Sequence, residues 1–156
     1  RVNCLAGLRP QGVDEALLRS TLIDNLRFAA DAFALAERQV LMEPLNSRDT
    51  PGFFVDRTAP ALALLDEADR PNLALQYDVY HAQVMEGDLA RTLEAHLARI
   101  GHIQLADNPG RHQPGTGEIN FPFLFRLLRR LGYPGWIGCE YVPTGPTEDS
   151  FGWMAS

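Results

Sequence analysis

The stretch Leu73-Ala74-Leu75-Gln76-Tyr77-Asp78 decides the fold class of this 156-residue chain. It is a short apolar run that ends in an oxygen-bearing side chain, and amphipathic, helix-like stretches lie on both sides of it. Three further runs have the same form: Val40-Leu41-Met42 before Glu43, His102-Ile103 before Gln104, and Trp136-Ile137-Gly138-Cys139 before Glu140. Nearly uninterrupted apolar runs are typical of parallel strands that are covered on both faces. The pattern therefore predicts a parallel α/β fold.

Strand and helix signals alternate along the sequence in the order β-α-β-α-β-α-β-α-β. The predicted strands are residues 1–5, 40–45, 73–80, 102–107 and 135–142, and the predicted helices are 14–38, a helix from residue 58, 88–100 and 120–131. Thr58 and Asn120 are candidate helix N-caps, because their short side chains can accept hydrogen bonds from free backbone N–H groups. Phe123 is expected on the buried face of the last helix. We interpret residues 1–156 as a single domain.

Two architectures fit five strands that alternate with four helices: an open doubly wound sheet, or part of an eight-stranded (β/α)8 TIM barrel. No Gly-x-Gly-x-x-Gly follows a predicted strand, so the dinucleotide-binding form of the open sheet lacks its signature. Polar residues end nearly every strand, and the carboxyl ends of barrel strands are where active sites lie. The sequence therefore favours a barrel.

The composition is that of an ordinary globular protein, with 46% apolar and 22% charged residues. A net charge of −6 without basic runs argues against nucleic acid or an anionic membrane as a partner. The sequence also lacks an apolar stretch of the roughly 20 residues that a membrane helix needs. Cys4 and Cys139 fall in predicted strands, so we expect buried thiols and a cytoplasmic protein.

The four strand endings form a candidate site for a divalent cation. Glu43, Asp78, Gln104 and Glu140 offer only oxygen ligands, which suit Mg²⁺ or Mn²⁺, whereas Zn²⁺ usually takes His or Cys. Three carboxylates and one amide also supply ample negative charge. Any one of these acids, taken alone, is more simply read as a solvent-exposed strand ending. Their repetition after four apolar runs favours the cation site.

Three further residues are candidates for substrate binding. His81 follows Asp78 by three residues and can turn toward the same rim to bind a substrate oxygen. Arg111 and His112 lie in the Pro- and Gly-rich loop after Gln104, where an anionic group could be bound, since Arg takes carboxylates in a bidentate way. The alternatives are a histidine that caps a loop and a solvated arginine.

Several motifs resemble the hydroxypyruvate isomerase family, within the xylose-isomerase-like barrel superfamily. They are Glu-Pro-Leu-Asn at 43–46, Gln-Tyr-Asp-Val-Tyr-His at 76–81, Gly-His-Ile-Gln-Leu-Ala-Asp at 101–107, Pro-Gly-Thr-Gly-Glu-Ile-Asn at 114–120 and Gly-Cys-Glu-Tyr at 138–141. The resemblance implies metal ligands at Glu43, Asp78, Gln104 and Glu140, and proton transfer by the two glutamates. It implies interconversion of hydroxypyruvate and tartronate semialdehyde through an enediolate, a reaction of carbohydrate and glyoxylate metabolism.

Related activities remain open at this point. A 2-oxo-tetronate isomerase or a ketose 3-epimerase would use the same cation and acids, although the epimerases generally carry His where this chain has Gln104. Endonuclease IV, a DNA-repair member of the superfamily, is a weaker alternative because it needs several His ligands and a basic surface. The substrate is accordingly expected to be a small 2-oxo acid or a ketose.

The number of predicted strands raises a separate expectation. A complete barrel has eight strands in about 250 residues, whereas this sequence matches the last five, so roughly 90 to 100 N-terminal residues of such a barrel are expected to be missing. A third hypothesis is therefore an inactive fragment. Its strand edge at residues 1–5 would invite pairing with another copy and give a homo-oligomer.

Overall fold

The fold is an incomplete parallel α/β barrel, seen in a computed structural model that describes residues 1–155. Its sheet has five parallel strands in the order of the chain: β1 (Val2–Asn3), β2 (Val40–Met42), β3 (Leu73–Asp78), β4 (Ile100–Leu105) and β5 (Ile137–Cys139). The helices are α1 (Glu15–Ala34), α2 (Thr58–Ala68), α3 (Val79–Met85), α4 (Leu89–His96) and α5 (Phe121–Arg130), with 3₁₀ segments at Leu97–Arg99 and Thr147–Ala155. The prediction of a five-stranded part of a TIM barrel is confirmed.

The strand register brings the predicted polar endings to one rim of the sheet. Met42, the last residue of β2, pairs with Leu75, so Glu43 follows β2 beside the part of β3 that continues to Asp78. Asp78 pairs directly with Gln104, and Gln104 in turn pairs with Gly138. Because all the strands are parallel, their carboxyl ends lie on the same side.

The hydrophobic core lies between the outer face of the sheet and the helices. Leu26 of α1, Met42 of β2, Leu75 of β3, Leu93 of α4 and Leu127 of α5 are all completely buried there. Helices α1, α2, α4 and α5 each contribute one apolar stripe at three- and four-residue spacing, as the sequence predicts. The rigid framework of the site is therefore this helix-on-sheet layer.

Several helices and strands have other bounds than the sequence predicts. β2 and β5 contain only three residues each, and β3 stops at Asp78 because α3 begins at Val79. This short helix was missed, since Val79 and Tyr80 have side chains that favour strands. Ile100 opens β4 instead of closing the preceding helix, because a 3₁₀ turn separates them.

Four single-residue expectations are wrong. Thr58 is the first residue of α2 and not its cap, and both its backbone N–H and its hydroxyl donate to Glu86 at 2.8 Å. Phe123 is 40% exposed, because Phe121 takes the inward position of α5. Cys139 is exposed and Cys4 only half-buried, since they lie in or directly after the edge strands β5 and β1, which have a neighbouring strand on one side only. By contrast, Asn120 does cap α5, with its Oδ1 accepting from the N–H of Phe123 at 3.1 Å.

Among residues 1–155, none of the helices combines the length and the hydropathy that a membrane crossing requires.

Candidate active site at the carboxyl ends of the strands

A cavity of about 600 Å³ lies on the rim where the strands end. Its lining includes Glu43, His81, Gln104, Arg111 and Glu140. All five are residues that the sequence analysis proposed as cation ligands or substrate-binding groups. Asp78 lies directly beside this cavity, within reach of Glu43 and His81.

Glu43 follows β2 and is almost fully buried, with 4% of its surface exposed. Its Oε2 accepts a hydrogen bond from the side-chain amide of Asn3 at 2.7 Å, while Oε1 has no partner among the described residues. Burial and the nearby charge of Asp78 raise the pKa of Glu43 to about 7, against hydrogen bonds that favour the charged form. The carboxyl group is therefore poised to gain or lose a proton near neutral pH.

The two carboxylate oxygens of Asp78 have different surroundings. Oδ1 accepts the backbone N–H of Tyr80 at 2.8 Å and so caps α3. Oδ2 is buried and has no hydrogen-bond partner among the described residues. Burial raises the pKa of Asp78 to about 6, opposed by the hydrogen bond to Tyr80 and the charge of Arg111.

The ring of His81 is held in one tautomer by Asn46. The backbone N–H of Asn46, which can only donate, points to Nδ1 of His81 at 3.1 Å. Oδ1 of Asn46 accepts from the N–H groups of Arg48 and Asp49, so its NH₂ group is the part that faces Nδ1, at 2.6 Å. Burial and the charge of Arg111 lower the pKa of His81 to about 4. The ring is therefore neutral at pH 7, with its proton on Nε2.

Three buried polar atoms that have no hydrogen-bond partner in the described part of the chain converge beside the cavity. They are Oε1 of Glu43, Oδ2 of Asp78 and Nε2 of His81, and ligand atoms of these three residues lie within 4.8 Å of one another. Buried polar atoms are rarely left unsatisfied, so the arrangement fits a bound group. Two anionic oxygens suit a divalent cation. His81 instead offers an N–H, which donates and does not coordinate, and it lies 3.8 Å from Oδ2 of Asp78.

Gln104 and Glu140 line the same cavity, and Glu140 is not part of this compact group. Oε1 of Gln104 accepts a short hydrogen bond from Nε2 of Gln76. Glu140 follows β5, and its half-exposed carboxylate accepts from Nη2 of Arg111 at 3.0 Å. Both oxygens thus have protein partners that a cation would have to share or replace.

The two remaining candidates, Arg111 and His112, are adjacent in the loop after β4 but have different contacts. The guanidinium of Arg111 lies 5.4 Å from the ring centre of Tyr80 as well as beside Glu140. His112 bonds the carbonyl oxygen of Val142 through Nδ1 at 2.6 Å. Its observed contact therefore ties the loop to the chain beyond β5, while Arg111 faces the cavity.

Asp107 is a site-shaping residue that sequence reasoning did not single out. Its buried carboxylate accepts four backbone N–H groups at 2.9–3.1 Å, from Asn108, Gly115, Gly117 and Ile119. A Cβ at Gly117 would lie 2.0 Å from the carbonyl oxygen of Asn108, so only glycine fits there. The roles of Asn3 and Asn46, which donate to Glu43 and His81, were also missed. A short polar residue in or beside a strand is too common to indicate either contact.

Comparison with known proteins places these observations in a family. The model of the family described as "Xylose isomerase-like TIM barrel" matches residues 1–156. The 2-oxo-tetronate isomerase of Cupriavidus necator is 47% identical, over 99% of this chain and 59% of the relative. The hydroxypyruvate isomerase of Escherichia coli is 45% identical, over 99% of this chain and 60% of the relative. The chain thus spans about 60% of the length of these relatives.

A solved structure agrees in fold. The crystal structure described as AP endonuclease, family 2, from Brucella melitensis superimposes with a TM-score of 0.95 at 44% identity, covering 99% of this chain and 60% of the other. The predicted resemblance to the hydroxypyruvate isomerase group is confirmed by the curated relatives. The chain belongs to the xylose isomerase-like TIM barrel family.

Proposed function

We propose that this chain carries the cation site and the proton-transferring groups of an isomerase that interconverts hydroxypyruvate and tartronate semialdehyde. The observation that carries the proposal is the convergence of open carboxylate oxygens on Glu43 and Asp78 with the N–H of a neutral His81. The names of relatives at 45–47% identity support a reaction on a small 2-oxo acid. As predictions, the proposal includes a single domain, a cytoplasmic location, no binding of nucleic acid and a homo-oligomeric state.

Glu43, Asp78, Gln104 and Glu140 would hold the cation. The first two carboxylates supply buried oxygens, and the other two side chains supply oxygens from the cavity wall. An all-oxygen set favours Mg²⁺ or Mn²⁺. When bound, such an ion acts as a Lewis acid that polarises the substrate carbonyl and acidifies the neighbouring C–H group.

The two glutamates would transfer the protons. One removes a proton from C3 of hydroxypyruvate, which gives an enediolate, and the other returns a proton to C2. The hydroxyl proton moves from O3 to O2, so C3 becomes an aldehyde and C2 a secondary alcohol. The pKa of Glu43, raised to about 7, suits either role, because a general base works best near the operating pH.

Two groups would position the substrate. Nε2–H of His81 donates to a substrate oxygen, which explains why this buried neutral imidazole has no hydrogen-bond acceptor among residues 1–155. The guanidinium of Arg111 takes the carboxylate in a bidentate way. His112 remains a predicted substrate contact, although its present bond to Val142 suggests that it supports the loop.

A 2-oxo-tetronate isomerase is the second candidate, favoured by the 47% identity to the Cupriavidus necator enzyme. The substrate has one more carbon, but the reacting carbons and the carboxylate are the same. The same residues would therefore serve both reactions, and the space beyond C3 would decide between them.

Turnover of hydroxypyruvate, 2-oxo-tetronates and a small panel of ketoses tests the proposal. Each substrate is assayed after chelation of metals and after addition of Mg²⁺, Mn²⁺ or Zn²⁺. In the enzyme with a complete barrel, we expect turnover of a 2-oxo acid that is lost on chelation and restored best by Mg²⁺ or Mn²⁺. Turnover that survives chelation would refute the cation site, and activity on ketoses alone would refute the substrate class.

A further inference from the structure

The ion pair between Arg111 and Glu140 links two proposed ligands of the cavity. Nη2 of Arg111 lies 3.0 Å from Oε2 of Glu140, and the two side chains are 31% and 53% exposed. An ion pair that solvent can reach contributes little to stability. It can therefore be exchanged for another partner without disturbing the fold.

The backbone on both sides of this pair is fixed. The carbonyl oxygen of Arg111 accepts from the N–H of Val142 at 2.8 Å, two residues beyond Glu140. The next carbonyl, of His112, accepts from the N–H of Asp107 at 2.8 Å, and Asp107 holds the rest of the loop. The exchange therefore needs only rotation of the Arg111 side chain, whose guanidinium already lies 5.4 Å from the ring centre of Tyr80 while it is paired with Glu140.

The charge of Arg111 also opposes a cation in this cavity. It is directed at Glu140, which it neutralises, and its field reaches Asp78, whose pKa it lowers. A bound cation would have to share Glu140 with a guanidinium and tolerate a like charge close by. Both obstacles disappear if an anionic group binds to Arg111.

We infer that the carboxylate of the substrate displaces Glu140 from Arg111, so that the anionic substrate and the divalent cation strengthen each other's binding. The exchange breaks one ion pair within the protein and forms another with the ligand, and it frees the Glu140 carboxylate for the cation. Linkage requires the effect to be reciprocal: the cation strengthens carboxylate binding by the same factor. This inference rests on the proposed function and specifies the substrate class as carboxylates.

The test measures Mn²⁺ binding with and without pyruvate. Pyruvate has the carboxylate and the 2-oxo group but lacks the 3-hydroxyl, so it cannot be isomerised, and pyruvamide is its neutral counterpart. In the wild type, saturating pyruvate should lower the apparent Kd for Mn²⁺ about fivefold or more, after correction for Mn²⁺ bound by pyruvate in solution. Pyruvamide should have no such effect.

The variant Arg111→Gln should bind Mn²⁺ more tightly than the wild type when no pyruvate is present, and pyruvate should change its Kd less than about twofold. Arg91→Gln is the matched control, because Arg91 forms an exposed ion pair with Asp88 on α4. It should behave as the wild type does. An equal pyruvate effect in the wild type and in Arg111→Gln would overturn the inference.

A second variant keeps the test decisive if Arg111→Gln does not fold. Glu140→Gln frees the guanidinium, so pyruvate should bind this variant more tightly than the wild type in the absence of any cation. Unchanged or weaker pyruvate binding would overturn the inference. If the wild type binds Mn²⁺ but pyruvate does not change its affinity, only the inference fails. If the wild type binds no Mn²⁺ under any condition, the proposed function fails as well.

Discussion

The backbone N–H of Asn46 donates to Nδ1 of His81 over 3.1 Å, and this single contact determines what the other ring nitrogen can do. A backbone amide cannot accept, so Nδ1 must be the unprotonated nitrogen. Nε2 therefore carries the proton and faces the carboxylate of Asp78 at 3.8 Å. Proximity to two carboxylates suggests a cation ligand, but the hydrogen-bond network makes His81 a donor.

Substitutions of His81 test this assignment. Gln can place an NH₂ group near the position of Nε2, whereas Asn reaches only the position of Nδ1. We expect His81→Gln to keep a measurable part of kcat/KM and His81→Asn to lose about 100-fold or more, because only the first preserves the donor. Mn²⁺ affinity should stay within about twofold in both variants. Loss of Mn²⁺ binding in both would instead identify His81 as a ligand.

In the enzyme with a complete barrel, Glu43→Gln and Glu140→Gln should each lower kcat by about 100- to 10,000-fold, the usual contribution of an acid or base. An amide can still offer a ligand oxygen but cannot carry the proton. Circular dichroism should show an intact fold in both cases. Glu94→Gln is the control, since Glu94 forms an exposed pair with Arg130 and neither residue lines the cavity. Near-normal kcat in either variant would leave that glutamate at most a ligand.

The pH dependence of stability should reveal the buried carboxyl group of Glu43. Its pKa rises from an ordinary 4.5 to about 7 on folding. The folded state therefore holds the proton more tightly, and the stabilisation is complete below pH 4.5 and lost as the pH rises through 7. In cation-free protein, Glu43→Gln should melt at nearly the same temperature as the wild type at pH 4.5, and roughly 5 °C higher at pH 8.

The comparison of these two proteins isolates Glu43 together with its coupling to Asp78, because the remaining titrating groups are common to both. His81, whose pKa is lowered, contributes in the opposite direction between its folded and unfolded values. Mn²⁺ should raise the melting temperature of the wild type more at pH 8 than at pH 5, since it competes with protons for the carboxylates. A melting difference that shrinks with increasing pH would contradict the prediction.

Asp107→Asn should destabilise the protein by about 3 kcal/mol, because an amide cannot replace a buried carboxylate that accepts four backbone N–H groups. The measurement is the urea midpoint. Asp88→Asn serves as the control, since the Asp88 side chain makes no cap hydrogen bond with α4. An equal effect of the two substitutions would show that the loop does not depend on Asp107.

The parallel strands could be predicted because apolar runs and polar endings are local signals. Leu73–Asp78 shows both, and its carboxyl end lies on the predicted rim. What failed was decided by distant contacts. Thr58 was expected to cap its own helix, but Glu86 from the end of α3 fills that role. Phe123 was placed inside by spacing alone, although the neighbouring Phe121 fits the core better.

The candidate site shows the same division. The cavity brings together Glu43, Gln104 and Glu140 because parallel strands end on one side. The hydrogen bond from Asn3 to Glu43 crosses 40 positions of sequence, and no local pattern indicates it. Likewise, the ion pair of Arg111 with Glu140 depends on how the loop after β4 folds back. Several residues that line the cavity could be predicted from the sequence, but the hydrogen bonds and ion pairs that they form could not.

Glu43 and Asp78 each have one oxygen anchored and one oxygen open. Asn3 holds Oε2 of Glu43, and the first turn of α3 holds Oδ1 of Asp78. Both rotamers are thereby frozen when the chain folds. A ligand that binds later need not immobilise these side chains. Their conformational entropy is already lost when the chain folds, so ordering them does not weaken ligand binding.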